Sequence, residues 1–415
     1  MGYWFPLIPT ATLVKAKWVI DGTGAPAVEQ GAVLVQDGRI AGVYRESPKA
    51  SALPPSCESV DLPGVSLMPG LIDTHVHVCL PGNGTIPPKA INEPWGVIQA
   101  LALKNASVAL RAGITTLRDC GGFPSVLSSL RRAIELGYAQ GPRLVLAGSP
   151  ITITGGHLHH FGGEADGLDG VRIKVRRAVK WGADFVKVVG SGGGTPSTIM
   201  WQPSFSEEEM TAVVREAHRF RRKAVVHSLC AEATAYAIAA RADEIEHAGF
   251  FTGPDKSWFD QDVAQAIAQS RIPVCTTISS SSFVKEAGPP DADFWRDSLQ
   301  DELANAAALH RLGIPLLAGS DAGWRWSPFN AIHTELQLMN KAGLTPMECI
   351  VAATGRAAEA LGLKGVTGTI KVGLSADLVA VQGRPDQDLH TMSQTVMVMK
   401  EGCYHRYDGG TSSMR

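Results

Sequence analysis

The sequence predicts an α/β protein, a (β/α)8 TIM barrel with a small β-sandwich domain formed by both chain ends. Strand and helix patterns alternate through the middle of the 415-residue chain, which is typical of a parallel sheet with crossover helices. Short β segments with tight turns occupy both ends. A His-x-His pair, His75 and His77, ends the first strand of the middle region. We therefore expect residues 68–364 to form the barrel, and residues 1–67 with 365–415 to form one composite β-domain.

The terminal regions show hairpin patterns. In the N-terminal region, Asp37-Gly38 separates two apolar runs, a strong signal for a two-residue hairpin turn. The pattern returns near the C-terminus as two strand-like runs and a turn, Asp377–Val381, Thr395–Met399 and Glu401-Gly402. Two β-rich ends around one long middle region indicate a single small domain built from both.

The middle region contains eight candidate strands, the number that a TIM barrel requires. They are Leu71–His77, Thr115–Arg118, Leu144–Ala147, Phe185–Val189, Ala224–His227, Glu244–His247, Val274–Thr277 and Leu316–Ser320. Amphipathic helices separate them, including 206–222, which opens with a Ser206/Glu209 capping box, and 299–312. Functional residues of such a barrel lie at the C-terminal ends of its strands.

Composition excludes several classes of partner. Apolar residues make up 45% of the chain and the net charge is −2, so neither nucleic acid nor an anionic membrane is an expected partner. No run of 18 apolar residues predicts a membrane span. The start of the chain, Met1–Pro6, has no basic region typical of a signal peptide. The seven cysteines are odd in number and form no CxxC pair, which favours reduced thiols and a cytoplasmic protein.

His75 and His77 are the first candidate metal ligands. Residues two apart on a strand point the same way, so both imidazoles can reach one divalent ion. Imidazole suits zinc well. The alternative is a strand with two chance histidines.

Lys187 lies within the apolar strand 185–189. A lysine there is costly unless it is modified or paired. Carbamylation by carbon dioxide would convert it into an anion whose two oxygens can bridge two metals. A snorkelling or ion-paired lysine is the alternative.

Three further candidates follow later strands. His227 and His247 end strands five and six, and we expect both to bind metal, although a satisfied core histidine is the alternative for each. Asp321 follows strand eight, where a carboxylate can bind one metal and take a proton from metal-bound water. An N-cap role for Asp321 is disfavoured because Pro328 predicts a later helix start.

His157 is the candidate for a catalytic or substrate-binding imidazole. It follows Gly155-Gly156 in a loop after strand three, and glycines let the backbone approach a ligand closely. A neutral imidazole there could polarise a carbonyl.

The chain resembles the amidohydrolase superfamily, in particular its imidazolonepropionase-like and prolidase-like branch of metal-dependent hydrolases. The motifs that carry the resemblance are 69–77, 184–187, the strand-end His227 and His247, 319–323 and 376–379. The resemblance implies two zinc ions per chain bridged by carbamylated Lys187. It also implies hydrolysis of an amide bond in a small molecule: a dipeptide, an N-acyl amino acid, an aryl amide, or a carbamate or urea. The glycine-rich loop 192–201 and the apolar residues after His227 depart from the dipeptidase members, which puts a dipeptide substrate in question.

Aromatic residues on two loops predict the substrate pocket. We expect Met200, Trp201, Trp324 and Trp326 to line an apolar pocket at the barrel mouth, with Arg325 as a partner for a substrate carboxylate. A lid that these aromatics merely pack is the alternative. We also expect a homo-oligomer.

Two other classes of function remain at this point. A mononuclear deaminase or ring-opening imidazolone hydrolase could use the same barrel, and Lys187 discriminates because a one-metal site needs no bridging ligand. A non-catalytic scaffold would lack ligands, and every expected ligand is present in the sequence.

Overall fold

The computed structural model describes residues 11–85, 91–196, 198–253, 256–287 and 293–408, so the expectation about Met1–Pro6 lies outside the described residues. Strands are β1 (Ala11–Val19), β2 (Val28–Glu29), β3 (Ala32–Gln36), β4 (Arg39–Tyr44), β5 (Cys57–Pro69), β6 (Leu71–Val76), β7 (Ile114–Asp119), β8 (Arg143–Leu146), β9 (Phe185–Val189), β10 (Lys223–Ser228), β11 (Glu244–His247), β12 (Phe251–Gly253), β13 (Lys256–Ser257), β14 (Val274–Cys275), β15 (Leu316–Leu317), β16 (Leu378–Gln382), β17 (Thr395–Lys400) and β18 (Cys403–Tyr407). Helices are α1 (Trp95–Arg111), α2 (Pro124–Glu135), α3 (Gly167–Lys180), α4 (Glu207–Arg219), α5 (Ala231–Ala239), α6 (Gln261–Ser270), α7 (Ser279–Ala287), α8 (Asp293–Arg311), α9 (Ile332–Lys341), α10 (Pro346–Ala352) and α11 (Gly355–Ala360).

The chain divides into two compact units. One comprises the described residues up to Ile72, Val108–Thr116 and the described residues from Thr345 onward. The other comprises Asp73–Ser107 and Leu117–Leu344. The first unit therefore includes 68–72, 108–116 and 345–364, which the sequence assigns to the barrel region.

The first unit contains a sheet built from both chain ends. Its strand order is β18-β17-β16-β5-β1-β3-β4, with β2 paired to β1. Alternate residues of β1 pack into different clusters, because strand side chains alternate between faces. Leu13 belongs to one cluster with Leu34, whereas Val14 belongs to another with Val33. Both faces of this part of the sheet are thus buried, as in a small β-sandwich.

The hairpin predicted at Asp37-Gly38 is confirmed. Gln36 pairs with Arg39, which leaves a two-residue turn between β3 and β4. Asp37 and Gly38 have φ values of 49° and 75°. Positive φ at both central residues suits the twist of a hairpin, and aspartate followed by glycine tolerates it.

The TIM barrel lies largely in the second unit. Its strands form two runs, β6-β7-β8 and β15-β14-β11-β10-β9. Two parallel backbone bridges connect the runs, Ile151 with Val188 and Val76 with Ala322. This closes eight strands into a barrel, so that the residues following the strands meet at one end.

Strands β14 and β15 end earlier than the sequence predicts. The sequence predicts that β14 extends to Thr277. Thr277 has a φ of 53°, a left-handed backbone conformation that cannot continue a strand. The prediction carried β15 to Ser320, whose hydroxyl donates to Asp73 and whose N–H donates to the same carboxylate at 3.0 Å. The Asp73 carboxylate thus takes the Ser320 N–H out of the strand ladder.

The helix boundaries follow local capping. Ser206 accepts from the Glu209 N–H and forms the predicted capping box at the start of α4. The helix after strand eight starts at Ile332, later than Pro328, and its N-cap is Ala331. Asp321 is therefore not a helix cap. No helix among the described residues is long and apolar enough to cross a membrane.

Candidate metal centre

His75 and His77 meet Asp321 at one point beside the end of β6. The Nε2 atoms of the two imidazoles lie 3.4 Å apart. Oδ1 of Asp321 lies 3.5 Å from each of them. All three residues are buried. Two imidazole nitrogens and a carboxylate oxygen this close together can hold a divalent ion.

The backbone aims Asp321 at the two histidines. Its φ is 52°, a left-handed conformation that is uncommon for residues other than glycine. Its N–H donates to the carbonyl of His75 at 2.8 Å. Oδ1 accepts no hydrogen bond from the described residues. Burial raises the pKa of Asp321 to about 7, while Lys187 opposes that rise. A buried carboxylate oxygen without a donor is what a bound metal would satisfy.

Lys187 is fully buried on β9 among the barrel strands. Its Nζ lies 2.8 Å from Oε2 of Glu246. Burial lowers the pKa of Lys187, because a charged ammonium is poorly solvated there. A lowered pKa favours the neutral amine, the form that reacts with carbon dioxide.

Glu246 is a site residue that sequence reasoning missed. It precedes His247 on β11, and its Oε2 contacts both Nδ1 of His75 and Nζ of Lys187. A carboxylate on the far nitrogen of a ligating imidazole orients the ring and fixes its tautomer. Glu246 therefore supports His75 from behind.

Arg118 on β7 holds Glu246 in place. Its Nη2 donates to Oε1 of Glu246 at 2.9 Å, and the same guanidinium forms a two-point pair with Glu244. Its Nε donates to the carbonyl of Thr74 at 2.5 Å. A signal in the sequence could have identified these residues. Glu244 and Glu246 alternate on one buried strand and Arg118 lies on another, and buried acidic side chains need cationic partners.

Three further imidazoles cluster around the same cavity. The ring centroid of His227 lies 4.9 Å from that of His157 and 4.7 Å from that of His247. The His247 centroid lies 5.0 Å from that of His75. The structure thus brings the histidines from strands one, five and six together, with the loop histidine His157 beside them.

Hydrogen bonds orient the rings of His77, His247 and His157. Gly121 accepts from Nδ1 of His77 at 2.9 Å, which leaves Nε2 of that ring for a ligand. His247 bonds Thr277 through Nδ1 at 2.7 Å, which likewise leaves Nε2. Nδ1 of His157 lies 2.7 Å from Oγ1 of Thr195.

Burial keeps these imidazoles neutral. It lowers the pKa of His77 and of His227 to about 3, and it lowers the pKa values of His75, His157 and His247 well below their ordinary range. A neutral imidazole is the form that binds metal.

Backbone strain concentrates at the strand ends that carry the site. His247 and Ala248 have φ values of 69° and 50°, and Thr277 and Asp321 share the same left-handed region. Such residues cost of order 1–3 kcal/mol each and cluster at active sites.

The imidazoles, Lys187 and Asp321 line a cavity of about 70 Å³. A buried water needs roughly 10–15 Å³ by this measure, so the cavity has room for several water-sized groups. Three of its other lining residues come from helix α8: Asp301, Glu302 and Asn305. None of these three residues was predicted from the sequence.

Of the five residues predicted to form the substrate pocket, only Trp324 belongs to the described lining of this cavity. Its ring lies edge-on to His157, with centroids 5.3 Å apart. Met200, Trp201, Arg325 and Trp326 lie outside that lining. Trp326 packs on Gly84, where a Cβ would come within 2.5 Å of the ring, and the Arg325 carbonyl accepts from the Gly84 N–H at 2.6 Å.

The donor set fits zinc. It consists of neutral imidazoles, one carboxylate without a donor and a buried lysine that carbamylation can convert into a second anion. Zinc prefers this combination of nitrogen and oxygen ligands. His75, His77 and Asp321 would hold one ion, and His227 with His247 would hold another.

Comparison with known proteins places the whole chain in one group. The sequence profile described as "Amidohydrolase family" matches residues 66–403. An ochratoxinase from Aspergillus niger is 26% identical over an alignment of 446 residues that covers 96% of this chain and 86% of the relative. An imidazolonepropionase from Mesorhizobium japonicum is 26% identical over 400 residues, covering 86% of this chain and 88% of the relative. A solved Xaa-Pro dipeptidase with methionine bound in its active site is 27% identical, with a TM-score of 0.85, and the match covers 96% of this chain and 100% of that one.

Proposed function

This chain belongs to the amidohydrolase family and is a hydrolase of carbon–nitrogen bonds, and from that premise we propose that it is a binuclear zinc enzyme that cleaves the amide bond of a small molecule. The single observation that carries the proposal is the convergence of His75, His77 and Asp321, with Lys187 buried beside them. The metal number, the metal identity and the carbamylation of Lys187 are parts of this proposal.

The proposed ligands divide around Lys187. His75, His77 and Asp321 would hold one zinc, His227 and His247 the other, and carbamylated Lys187 would bridge them. When bound, zinc lowers the pKa of a coordinated water and polarises the substrate carbonyl. The proximity of Lys187 to this cluster supports two metals over the mononuclear alternative, because one metal needs no bridge.

Asp321 would act as the proton carrier. Its carboxylate would take a proton from the attacking water and return it to the leaving nitrogen. The carbon–nitrogen bond then breaks, the nitrogen departs as an amine and the acyl group as a carboxylic acid. The burial of Asp321 and its contacts with the two histidines support this role.

His157 would donate a hydrogen bond to the substrate carbonyl oxygen. Thr195 defines its tautomer: the Thr195 hydroxyl accepts from the Leu158 N–H at 3.1 Å and can therefore donate to Nδ1 of His157. The Thr195 N–H also points to Nδ1 at 3.3 Å. With Nδ1 as an acceptor, the ring proton lies on Nε2 and is available as the donor that stabilises negative charge on the oxygen.

The substrate class rests on the relatives and on the cavity. The ochratoxinase and Xaa-Pro dipeptidase relatives support an amide, and Trp324 supplies one apolar wall. Met200, Trp201, Arg325 and Trp326 stay expectations from the sequence, and a carbamate or urea is the alternative bond on the same site.

We also propose that the enzyme is cytoplasmic. All seven cysteines are free and five are buried, which suits the reducing cytoplasm. We expect a homo-oligomer, which sedimentation of the purified protein would test.

Metal analysis together with a substrate screen tests the proposal. Protein expressed with zinc should contain about two zinc ions per chain and should hydrolyse members of a panel of N-acyl amino acids, aryl amides and carbamates. His75→Ala should lose metal and most activity. The control His218→Ala should lose neither, because His218 lies on α4 and its imidazole pairs with Asp243. Full activity of a preparation with one metal or none would refute the binuclear site.

The bridge has its own test. Lys187→Ala should be nearly inactive, with partial rescue by short carboxylic acids that can replace the carbamate. A crystal structure of the zinc-loaded protein with an unmodified Lys187 ammonium would overturn the bridge while leaving amide hydrolysis open.

A further inference from the structure

The wall of the cavity formed by helices α7 and α8 is acidic, and the mechanism above uses none of its residues. Asp301, Glu302 and Asn305 lie on α8, and Ser280 with Ser281 lies on α7. All five line the same cavity as the proposed zinc ligands.

Glu302 is the residue of this wall that points to a ligand. Its Oε1 accepts from the hydroxyl of Ser281 at 2.8 Å and from that of Ser298 at 3.1 Å. Its Oε2 is buried and has no hydrogen-bond partner among the described residues. Two hydroxyls thus hold the carboxyl group in place while one oxygen is left unsatisfied, and a buried unsatisfied acceptor is costly.

The charges around Glu302 indicate which kind of ligand group would bind its Oε2 atom. Burial is the main cause that raises the pKa of Glu302 to about 8, and Glu335 and Asp301 raise it further. Lys187 is the only lysine or arginine in the described lining, and it pairs with Glu246. Arg325, the expected partner for a substrate carboxylate, is not part of that lining.

We propose that Glu302 determines specificity by pairing with an ammonium or guanidinium group of the substrate, at the end remote from the scissile amide. This inference rests on the proposed amide hydrolysis and specifies its substrate class. A cation beside Oε2 supplies the missing donor and stabilises the ionised carboxyl, and Asp301 at the same wall adds to the negative potential. A substrate carboxylate at this wall would instead meet two acidic side chains.

A pair of ligands that differ only in the terminal ammonium group tests the charge directly. Binding of N-acetyl-L-lysine amide and of N-acetyl-L-norleucine amide to the zinc-loaded full-length protein is measured by calorimetry at pH 8. We expect the lysine compound to bind at least about tenfold more tightly, in the range of a charge-assisted hydrogen bond. Glu302→Gln keeps an oxygen for Ser281 and Ser298 but loses the charge, so it should abolish this preference and leave the norleucine compound unchanged. Glu286→Gln on the exposed part of α7 is the matched control and should behave as the wild type.

The outcomes separate this inference from the proposed function. Equal binding of the two compounds by the wild type, or an equal effect of Glu302→Gln on both, would overturn the role of Glu302 even if amides are hydrolysed. Conversely, a lysine preference that Glu302→Gln removes would support it even if no amide of the panel is cleaved. Tighter binding of the norleucine compound would show that Glu302 acts as a neutral acid rather than as a counter-ion.

Discussion

At the scale of single residues, Asp321 combines a position beside two imidazoles with a proton-transfer role. We expect Asp321→Asn to retain zinc, because the amide oxygen can still bind, while kcat falls by about 10²-fold or more. Metal content and steady-state kinetics of the same preparation provide the measurement. Unchanged turnover in metal-loaded Asp321→Asn would move the base elsewhere, and His157 would be the next candidate.

Thr195 is a positioning residue, because it acts through His157. Thr195→Val removes the hydroxyl at nearly constant volume, so Nδ1 of His157 loses the nearer of its two donors, at 2.7 Å, and keeps only the Thr195 N–H at 3.3 Å. We expect kcat to fall by about tenfold or more with little change in KM, since the donor acts on charge that develops in the transition state. Thr195→Ser keeps the hydroxyl and should keep the activity.

Nitrogen chemical shifts of His157 provide a readout that separates positioning from general damage. In the wild type and in Thr195→Ser, the ring should show the tautomer protonated at Nε2. A valine variant with normal kcat, or with an unaltered tautomer, would contradict the role assigned to Thr195.

At the scale of secondary-structure elements, a buried charge network connects β7 and β11. Arg118 neutralises Glu244 and Glu246, and all three side chains are almost fully buried. We expect Arg118→Met to destabilise the protein by about 3–5 kcal/mol, because it leaves the buried Glu244 without its cation and removes one of the two partners of Glu246, whose other partner is Lys187. Urea unfolding followed by circular dichroism measures this loss.

A surface pair on α2 serves as the control for that experiment. Arg132 and Glu135 have side chains that are 65% and 53% exposed, with a nitrogen–oxygen distance of 3.3 Å. Solvent screens such a pair, so Arg132→Met should change the stability by less than about 1 kcal/mol. Equal losses of stability in Arg118→Met and Arg132→Met would show that the buried network contributes no more to stability than a surface pair does.

At the scale of the whole molecule, metal binding and folding of the barrel should be linked. The ligands come from strands far apart in the sequence, so the unfolded chain cannot gather them, and zinc binds only the folded state. At a free zinc concentration about 100 times Kd, we expect about 2.7 kcal/mol of stabilisation. Thermal unfolding with zinc, with a chelator and with magnesium measures this effect.

Magnesium is the discriminating ion in this measurement. It prefers oxygen ligands and should stabilise the protein far less than zinc. Stabilisation by zinc that persists in a variant with His75, His77, His227 and His247 all replaced by alanine would place the bound metal outside the proposed centre.

Local sequence patterns determined the fold class and several of the candidate site residues. Alternation of strand and helix signals, and the β-rich ends, determined the fold class, because hydrophobic period and turn chemistry are local properties. His75, His77, Lys187 and Asp321 were recognisable because each is a polar residue at the end of, or within, an apolar run. The hairpin at Asp37-Gly38 and the capping box at Ser206 followed from the same local chemistry.

Only the tertiary structure decided which residues meet across the barrel. Arg118 and Glu246 are 128 positions apart, and their pairing depends on the closure of the barrel rather than on any local pattern. The same holds for Glu302, which reaches the cavity because α8 packs beside α7, and for Trp326, which packs on Gly84 instead of lining that cavity. A sequence shows which side chains are costly to bury, but the chain fold supplies the partners that make their burial possible.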